Sequence, residues 1–472
     1  MDTLRSLHRT IGGTLHGGAN AGSAILGRVA IDSRRVERGG VFWGLAGAKH
    51  NGADFAAEAF CRGAAGAVVD RPIDVPAGRW TIRVDDALQA LQRWAARLRG
   101  KFTGTMIAVT GSVGKTTTRQ MIHTVLKTRL VGTASPNNYN NHLGLPLSML
   151  SVEPWHDYAV LELGASAAGE IAKLAALCAP EIGVITQLGD AHLGGFGSHS
   201  AVAEAKAELL AALPPAGHAI LCDAPMLRRL AGRCRAAITW VGRGGDCDVA
   251  AANVHWSRGR LGFAVDGQKF SVPVWGRHYL PSALCAVAVA ERMGFELEET
   301  ARALAGFVPP PQRCEVVQAH GATIINDTYN ASPVAMQAAL ELLRDFETKG
   351  RRIVVCGDMA ELGEESALIH ARLGGDVVTR CGADLLIAVG RFAKDVVAGA
   401  RAAGMPNGRS IGCELPEQTL PYLDEAIAPG DVVLVKGSRM LAMERVVEAI
   451  EQHGDGPGRQ TRPPAATDGD RS

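Results

Sequence analysis

The sequence of 472 residues predicts an α/β protein of three domains: a small α/β N-terminal domain over residues 1–98, a central parallel-sheet domain built around a phosphate loop over 99–311, and a C-terminal Rossmann-like α/β domain over 312–453. Three observations predict it. A domain takes roughly 100–200 residues, so the length accommodates about three. From about residue 105 onward, short apolar runs alternate with helical segments, the pattern of a parallel sheet covered on both faces. The alternation breaks at Pro309, Pro310 and Pro311, which cannot continue a helix and mark a linker.

The elements follow in order. In the first hundred residues, VAIDSRRVERGGVFWGLAG and GAAGAVVD alternate apolar runs with glycine turns, and a basic helix from about Ala87 to Arg99 closes the domain. TMIAVT, DYAVLEL, EIGVIT and HAILC read as strands, with helices expected from Thr116, from Ala167, from Ser200 and after HAILC. Cys247 to Val274 alternates at period two, which predicts a short antiparallel excursion. Beyond the prolines, ATIIN, RIVVC, DLLIAV and DVVLV each precede a helical segment, carrying the third domain to about Gln452. Residues 454–472 hold almost nothing to bury and are expected to be a disordered tail.

Composition excludes several classes. With 49 Lys+Arg against 48 Asp+Glu, a net charge of +1, the chain lacks the basic surface of a general nucleic-acid binder. The ten cysteines are scattered and form no CxxC pair, so neither a zinc site nor a disulfide framework is signalled. The N-terminus lacks a signal-peptide stretch, and no run approaches the ~18 apolar residues of a membrane span. The expectation is a cytoplasmic protein. Glycine is in excess, 56 residues or about 12% against a usual ~7%, which calls for tight turns and close backbone approach.

The sharpest motif is IAVTGSVGKTTTRQMIHTVL. A strand ending at Thr110 feeds a glycine loop, and Lys115 with Thr116 opens a helix. Backbone N–H groups of Gly111, Ser112, Val113, Gly114 and Lys115 can wrap a triphosphate, Lys115 adds a point charge, and the Thr116 hydroxyl can ligate magnesium. Val109 stands where the strict motif has a glycine. The loop by itself indicates nucleotide binding and leaves the reaction open.

Three further residues extend this edge of the sheet. Glu162, at the C-terminal end of the next strand, is placed either to hold magnesium or to face solvent. His192 follows another strand in a glycine-rich loop, where a lone histidine is more often structural. Lys206 lies on the helix SAVAEAKAELLAAL with Val202, Leu209 and Leu210 to either side and Leu213 beyond, while Glu204 and Glu208 fall opposite. Centred in an apolar stripe, Lys206 either snorkels or is buried. A buried lysine loses its proton more readily, and a neutral amine can take up carbon dioxide as a carbamate, an anionic oxygen ligand suited to magnesium.

Taken together, TGSVGKTTT, the run NYNNHLGLP from Asn138 to Pro146, the Glu162 strand, the AHL at His192 and AEAKAEL around Lys206 resemble, in order and spacing, the central domain of the Mur ligases. In the third domain NDTYNASP from Asn326, GDMAELGEES from Gly357 with His370 downstream, and VLVKGSRMLAME from Val433 resemble the members that add D-alanyl-D-alanine to UDP-N-acetylmuramoyl-tripeptide. DSRRVERGGVFWGLAG is similar to the family's uridine-nucleotide domain. The likeness covers about residues 25 to 450.

What the resemblance implies is an N-terminal domain gripping the UDP-sugar, a central ATPase domain, and a C-terminal domain that closes over the nucleotide and brings in the amine. Gly111 to Thr117 would hold the ATP phosphates, and two magnesium ions are implied, one on Thr116 and Glu162 and one on His192 and carbamoylated Lys206. Asn141, Arg313, Asp327 and Asn330 would meet the adenosine or orient the phosphates. Asp32, Ser33 and Arg34 would lie near the uridine. The implied route joins the tripeptide carboxylate to ATP as an acyl phosphate, which the amine of D-alanyl-D-alanine then attacks, giving a peptidoglycan precursor. Lys115 and the two magnesium ions would neutralise charge in that step. The expected protein is a monomer with no nucleic-acid partner. The chain departs from relatives at Asn51 to Phe55, at Gln187, and mildly at Asn326 and Ser332.

Rival readings are another Mur-type or a folylpolyglutamate-type amide ligase, a nucleotide switch and a catalytically dead scaffold. GDMAELG and KGSRM weigh against the first, and the apolar-face Lys206 against the second. The intact loop with Glu162, His192 and Lys206 weighs against the third.

Overall fold

A computed structural model describes residues 2–18, 22–47, 49–136, 138–189, 196 and 198–452. The proposed tail over 454–472 and His192 lie outside the described residues. The chain divides into two compact units, Met1–Pro310 and Pro311–Ser472, with the division inside the predicted proline run.

The first unit begins with helix α1 (Leu4–Ile11) and strands β1 (Thr14–Gly17), β2 (Val29–Ala30) and β3 (Val41–Trp43), followed by α2 (Ala56–Cys61), β4 (Gly66–Val69), β5 (Trp80–Arg83) and α3 (Ala87–Arg99). The five strands form one sheet in the order β1-β5-β4-β3-β2, parallel except where β1 runs against β5. The α3 bounds are those the sequence predicts. Asp86 starts the helix by accepting from Leu88 N (2.8 Å) and Gln89 N (2.9 Å), and Arg97 and Arg99 sit in its last turn, where positive charge meets the helix dipole favourably.

The same unit continues with β6 (Thr105–Thr110), α4 (Lys115–Leu126), β7 (Gly132–Ala134), α5 (Gly144–Met149), β8 (Tyr158–Glu162), α6 (Glu170–Cys178), β9 (Ile182–Ile185), α7 (His199–Ala212), β10 (His218–Cys222), α8 (Pro225–Leu230), β11 (Ala237–Gly242) and β12 (Val249–Ala250). These strands make a parallel sheet ordered β12-β11-β10-β9-β6-β8-β7. Leu143, Leu147 and Leu150, at and around α5, pack on the N-terminal core of Leu4, Trp43, Leu91 and Trp94, so the two sheets share one unit.

Two expectations shift. The helix expected from Ala167 begins at Glu170, because Gly169 adopts φ +81° just ahead of it and Glu170 itself accepts from Ser166 N and Ala167 N, holding those residues in the loop. The period-two stretch splits: Val249–Ala250 extends the parallel sheet as β12, and the antiparallel part is β13 (Ala252–Ser257), β14 (Arg260–Val265) and β15 (Gln268–Val272). Helices α9 (Leu280–Arg292) and α10 (Leu297–Ala305) close the unit.

The second unit comprises β16 (Glu315–Ala319), β17 (Ala322–Asn326), α11 (Pro333–Asp345), β18 (Arg352–Gly357), α12 (Ser366–Thr379), β19 (Leu385–Val389), α13 (Ala393–Ala402), β20 (Ser410–Cys413), α14 (Leu420–Ala426), β21 (Val432–Lys436) and α15 (Glu444–Gln452). Its sheet runs β16-β17-β21-β18-β19-β20, parallel but for the β16–β17 hairpin, which is the Rossmann-like architecture predicted. The ten cysteines form no disulfide. Among the described residues no helix is long and apolar enough to cross a membrane.

Candidate active site

In the first unit β6 lies between β8 and β9, with Val109 paired to Glu162 and Thr110 to Ile185. That register brings the phosphate loop, Glu162 and Thr186 to one sheet edge, where parallel α/β sheets hold ligands. Val109 is buried inside β6, so the loop is shaped by Gly111 and Gly114. Their φ values of +145° and +87° suit glycine, and a side chain at Gly111 would run into the Thr186 hydroxyl. Thr186 Oγ1 reaches the carbonyls of Thr110 (3.1 Å) and Val113 (2.6 Å), and Gln187 O accepts from Ser112 N (2.9 Å), so the end of β9 braces the loop from beneath. Gln187 thus acts on the loop through its backbone carbonyl.

Lys115 Nζ donates to Gly111 O (2.8 Å) and Ser112 O (3.1 Å), laying its charge over the loop. Thr117 is buried on the first turn of α4, and Thr118 Oγ1 ties that turn to Ser282 Oγ of α9 at 2.9 Å. The Glu162 carboxylate, 2% exposed, accepts from Thr116 Oγ1 (3.0 Å) on one oxygen and Asn140 Nδ2 (2.9 Å) on the other. The predicted pair Thr116 and Glu162 is therefore in contact. Asn140 was not singled out by the sequence. Its neighbour Asn141 instead caps the start of α5, accepting from Leu143 N (3.1 Å) and Gly144 N (2.8 Å) through Oδ1.

Lys206 is buried, 1% exposed, with Val202, Leu209, Leu210 and Leu213. Its Nζ donates to Ala165 O (3.0 Å) and stands 5.2 Å from the Phe196 ring centroid. Burial pushes its pKa down to about 7, and the Lys115 charge adds to the effect. Glu208, on the far side of α7, caps α6 by accepting from Gly169 N (2.6 Å) and Ala172 N (2.9 Å), which fixes the loop that carries Ala165.

The donor set fits a magnesium nucleotide. Thr116 and Glu162 offer hard oxygen ligands, and the Ser112 hydroxyl, buried in the loop with no hydrogen-bond partner among the described residues, matches an incoming phosphate oxygen. Among the described residues no three His, Cys, Asp or Glu side chains cluster as a cage.

Away from this edge, Asp32 accepts from Arg34 N (3.0 Å) and pairs with the Arg34 guanidinium (2.9 Å), which holds its carboxyl down at about 2. Ser33 is buried and donates to Glu58 Oε2 at 2.6 Å, a partner the sequence did not suggest. Asn51 caps the turn at Gly52–Phe55 and reaches Asp70 (3.2 Å), so its side chain is satisfied locally.

In the second unit, Lys436 Nζ joins Asp327 Oδ2 (2.5 Å) and Asn330 O (2.9 Å), while Arg313 lies over the Tyr329 ring at 4.1 Å. Arg313, Asp327 and Asn330 thus gather around the strand ends of β17 and β21, with Lys436 as the residue that sequence reading missed. His370 is fully buried, its Nε2 accepting from Met359 N (2.9 Å), its Nδ1 donating to Ser366 O (2.6 Å) one turn back and its ring stacked on Phe392, so it shapes the GDM loop from behind.

Comparison with known proteins gives a consistent result. The chain matches the Mur ligase middle domain over residues 109–290 and the Mur ligase glutamate ligase domain over 312–439. It is 34% identical over 453 residues to the UDP-N-acetylmuramoyl-tripeptide--D-alanyl-D-alanine ligase of Bacillus subtilis, covering 95% of this chain and 98% of that one. A crystal structure of MurF from Acinetobacter baumannii superimposes with a TM-score of 0.86 at 30% identity, covering 95% and 98% of the two chains. MurF ligase from Thermotoga maritima in complex with ADP gives a TM-score of 0.78 at 30% identity, covering 90% and 97%.

Proposed function

The chain belongs to the Mur ligase family, and on that premise we propose that it is the ATP-dependent ligase that adds D-alanyl-D-alanine to UDP-N-acetylmuramoyl-tripeptide. The observation that carries the reading is a buried amine, Lys206, in the same domain as a phosphate loop whose Thr116 touches a buried carboxylate, Glu162. An ADP-bound relative at 30% identity supports the nucleotide.

In this reading the loop from Gly111 to Thr117 holds the triphosphate, the Ser112 and Val113 N–H groups shaping it through Gln187 O while the remaining loop N–H groups face the phosphates, and Lys115 swings its charge from the loop carbonyls to the γ-phosphate. Thr116 and Glu162 would hold one magnesium, and His192 with carbamoylated Lys206 a second. Bound magnesium offsets the negative charge that builds where two anions meet. To become a ligand, the neutral Lys206 nitrogen would attack the carbon of CO2, an N–C bond forming as one C=O π pair moves to oxygen, and the nitrogen then gives one of its two original protons to solvent, leaving an anionic carbamate.

The tripeptide carboxylate oxygen then attacks the γ-phosphorus, the bond to ADP breaks, and an acyl phosphate results. The D-alanyl-D-alanine nitrogen attacks the acyl carbon, phosphate leaves, and the amine proton goes to solvent. An α-amino pKa near 8 leaves roughly a tenth of that amine neutral at pH 7, so no strong base is required.

Asp32, Ser33 and Arg34 are assigned to the uridine moiety, and Arg313, Asp327, Asn330 and Asn141 to the adenosine or its phosphates. The division 1–98, 99–311 and 312–453 is kept as the domain assignment, and the reading expects a monomer working in the cytoplasm. The test is ATP turnover with each acceptor omitted in turn. Phosphate release that requires both UDP-N-acetylmuramoyl-tripeptide and D-alanyl-D-alanine is expected; steady hydrolysis indifferent to either contradicts the assignment.

A further inference from the structure

We infer that Arg119 is a positioning residue for the Glu162 carboxylate, acting through Ser135. The inference rests on the magnesium-nucleotide reading above for its purpose, while its geometry stands apart from that reading.

The β7 ladder ends one residue short of what Glu162 needs. β7 stops at Ala134, Ser135 N still donates to Val160 O of β8 (2.9 Å), and Pro136 follows, so the chain turns away before its backbone can serve Glu162. The Glu162 N–H is buried and needs an acceptor. The Ser135 hydroxyl supplies it at 3.1 Å, a side chain standing in for the missing rung. Ser135 must therefore stay put. Its own carbonyl accepts from an Arg119 guanidinium nitrogen, in a bond between two buried groups.

Arg119, Ser135 and Glu162 are 7%, 3% and 2% exposed, so water cannot replace these contacts cheaply. Arg119 lies three residues after Thr116 and four after Lys115, spacings that share one face of α4. One helix face thus carries the hydroxyl that touches the carboxylate and the cation that anchors the backbone behind it. Ser135 also begins the segment that ends at Asn140, whose amide holds the other Glu162 oxygen at 2.9 Å. Releasing Ser135 would loosen Glu162 from both its backbone and its Asn140 side, whereas the Thr116 contact would remain.

The experiment reads metal binding directly: manganese titrated into the full-length protein with saturating ADP, followed by electron paramagnetic resonance, alongside thermal melting. Arg119→Met is expected to weaken manganese binding at least tenfold, and Arg119→Lys, which keeps a cationic donor, to recover it to within about threefold. A role in packing alone predicts a lower melting temperature with manganese affinity unchanged, and that result overturns the proposal. Should Arg119→Met fail to fold, Ser135→Ala removes only the hydroxyl, and unaltered manganese affinity in that variant overturns the proposal equally. Wild-type protein that binds no manganese with ADP would defeat the magnesium-nucleotide reading and this proposal together; normal wild-type binding with an indifferent Arg119→Met defeats this proposal alone.

Discussion

Replacing Lys206 with methionine keeps a long unbranched side chain in the apolar stripe of α7 and removes the amine. Lys206 is 1% exposed, and its pKa falls from 10.5 to about 7 in the folded protein, chiefly through burial. Because the folded pKa lies below the unfolded one, the unfolded chain binds the proton more tightly. The stability is whole above about pH 10.5, is lost as pH falls from there, and the loss levels off below about pH 7. At ~1.36 kcal/mol per unit, the charged form costs the fold about 5 kcal/mol at pH 6 and about 2 kcal/mol at pH 9. Packing changes and the lost contact to Ala165 O shift both values together, so the slope carries the test. Urea unfolding in CO2-free buffer is expected to show the stability difference between Lys206→Met and wild type shrinking by about 2–3 kcal/mol from pH 6 to pH 9. A difference that is the same at both pH values refutes the reasoning. The variant is also expected to lose ligase activity, a trade of function against stability at a buried titratable group.

Gly111→Ala forces a Cβ onto the Thr186 hydroxyl at a φ of +145°, and calorimetry is expected to show ADP affinity reduced by about a hundredfold, ~2.7 kcal/mol. Thr116→Val removes the donor to Glu162 and the hydroxyl proposed to hold magnesium, so kcat/KM for magnesium ATP is expected to fall about a hundredfold or more, measured by initial rates across magnesium concentrations. Asp327→Asn leaves the Lys436 ammonium, 3% exposed, without its carboxylate, and calorimetric melting is expected to show a loss of about 3–5 kcal/mol; an unchanged transition contradicts a buried pair.

How far the sequence reached depends on the kind of signal. The α3 bounds and the place of Lys206 in an apolar stripe were legible because helical spacing alone places residues on faces; that spacing leaves open whether Lys206 snorkels or is buried, and the packing of the helix decides for burial. The Thr116–Glu162 contact was legible because strand ends of a parallel sheet share one edge. Arg119 was not: an arginine after three threonines reads as a solvated helix residue, and its burial comes from a carbonyl 16 residues onward. Asn140 and Asn141 are adjacent and chemically identical, so which one meets Glu162 is set by the backbone turn into α5 and not by residue type. The start of α6 was misplaced because Glu170 takes up the Ser166 and Ala167 N–H groups, a local bond that competes with the helix. β7 and β20 are short edge strands, and the edge strand β16 buries none of its residues, so none of the three carries the buried apolar run that marks the central strands.

The central claim is that the site activates a carboxylate by phosphorylating it. UDP-N-acetylmuramoyl-tripeptide labelled with oxygen-18 in its terminal carboxylate, turned over with ATP and D-alanyl-D-alanine, tests this through mass analysis of the released phosphate. Passage through an acyl phosphate predicts one labelled oxygen in each phosphate formed from fully labelled substrate. Unlabelled phosphate accompanying normal amide formation would contradict the account.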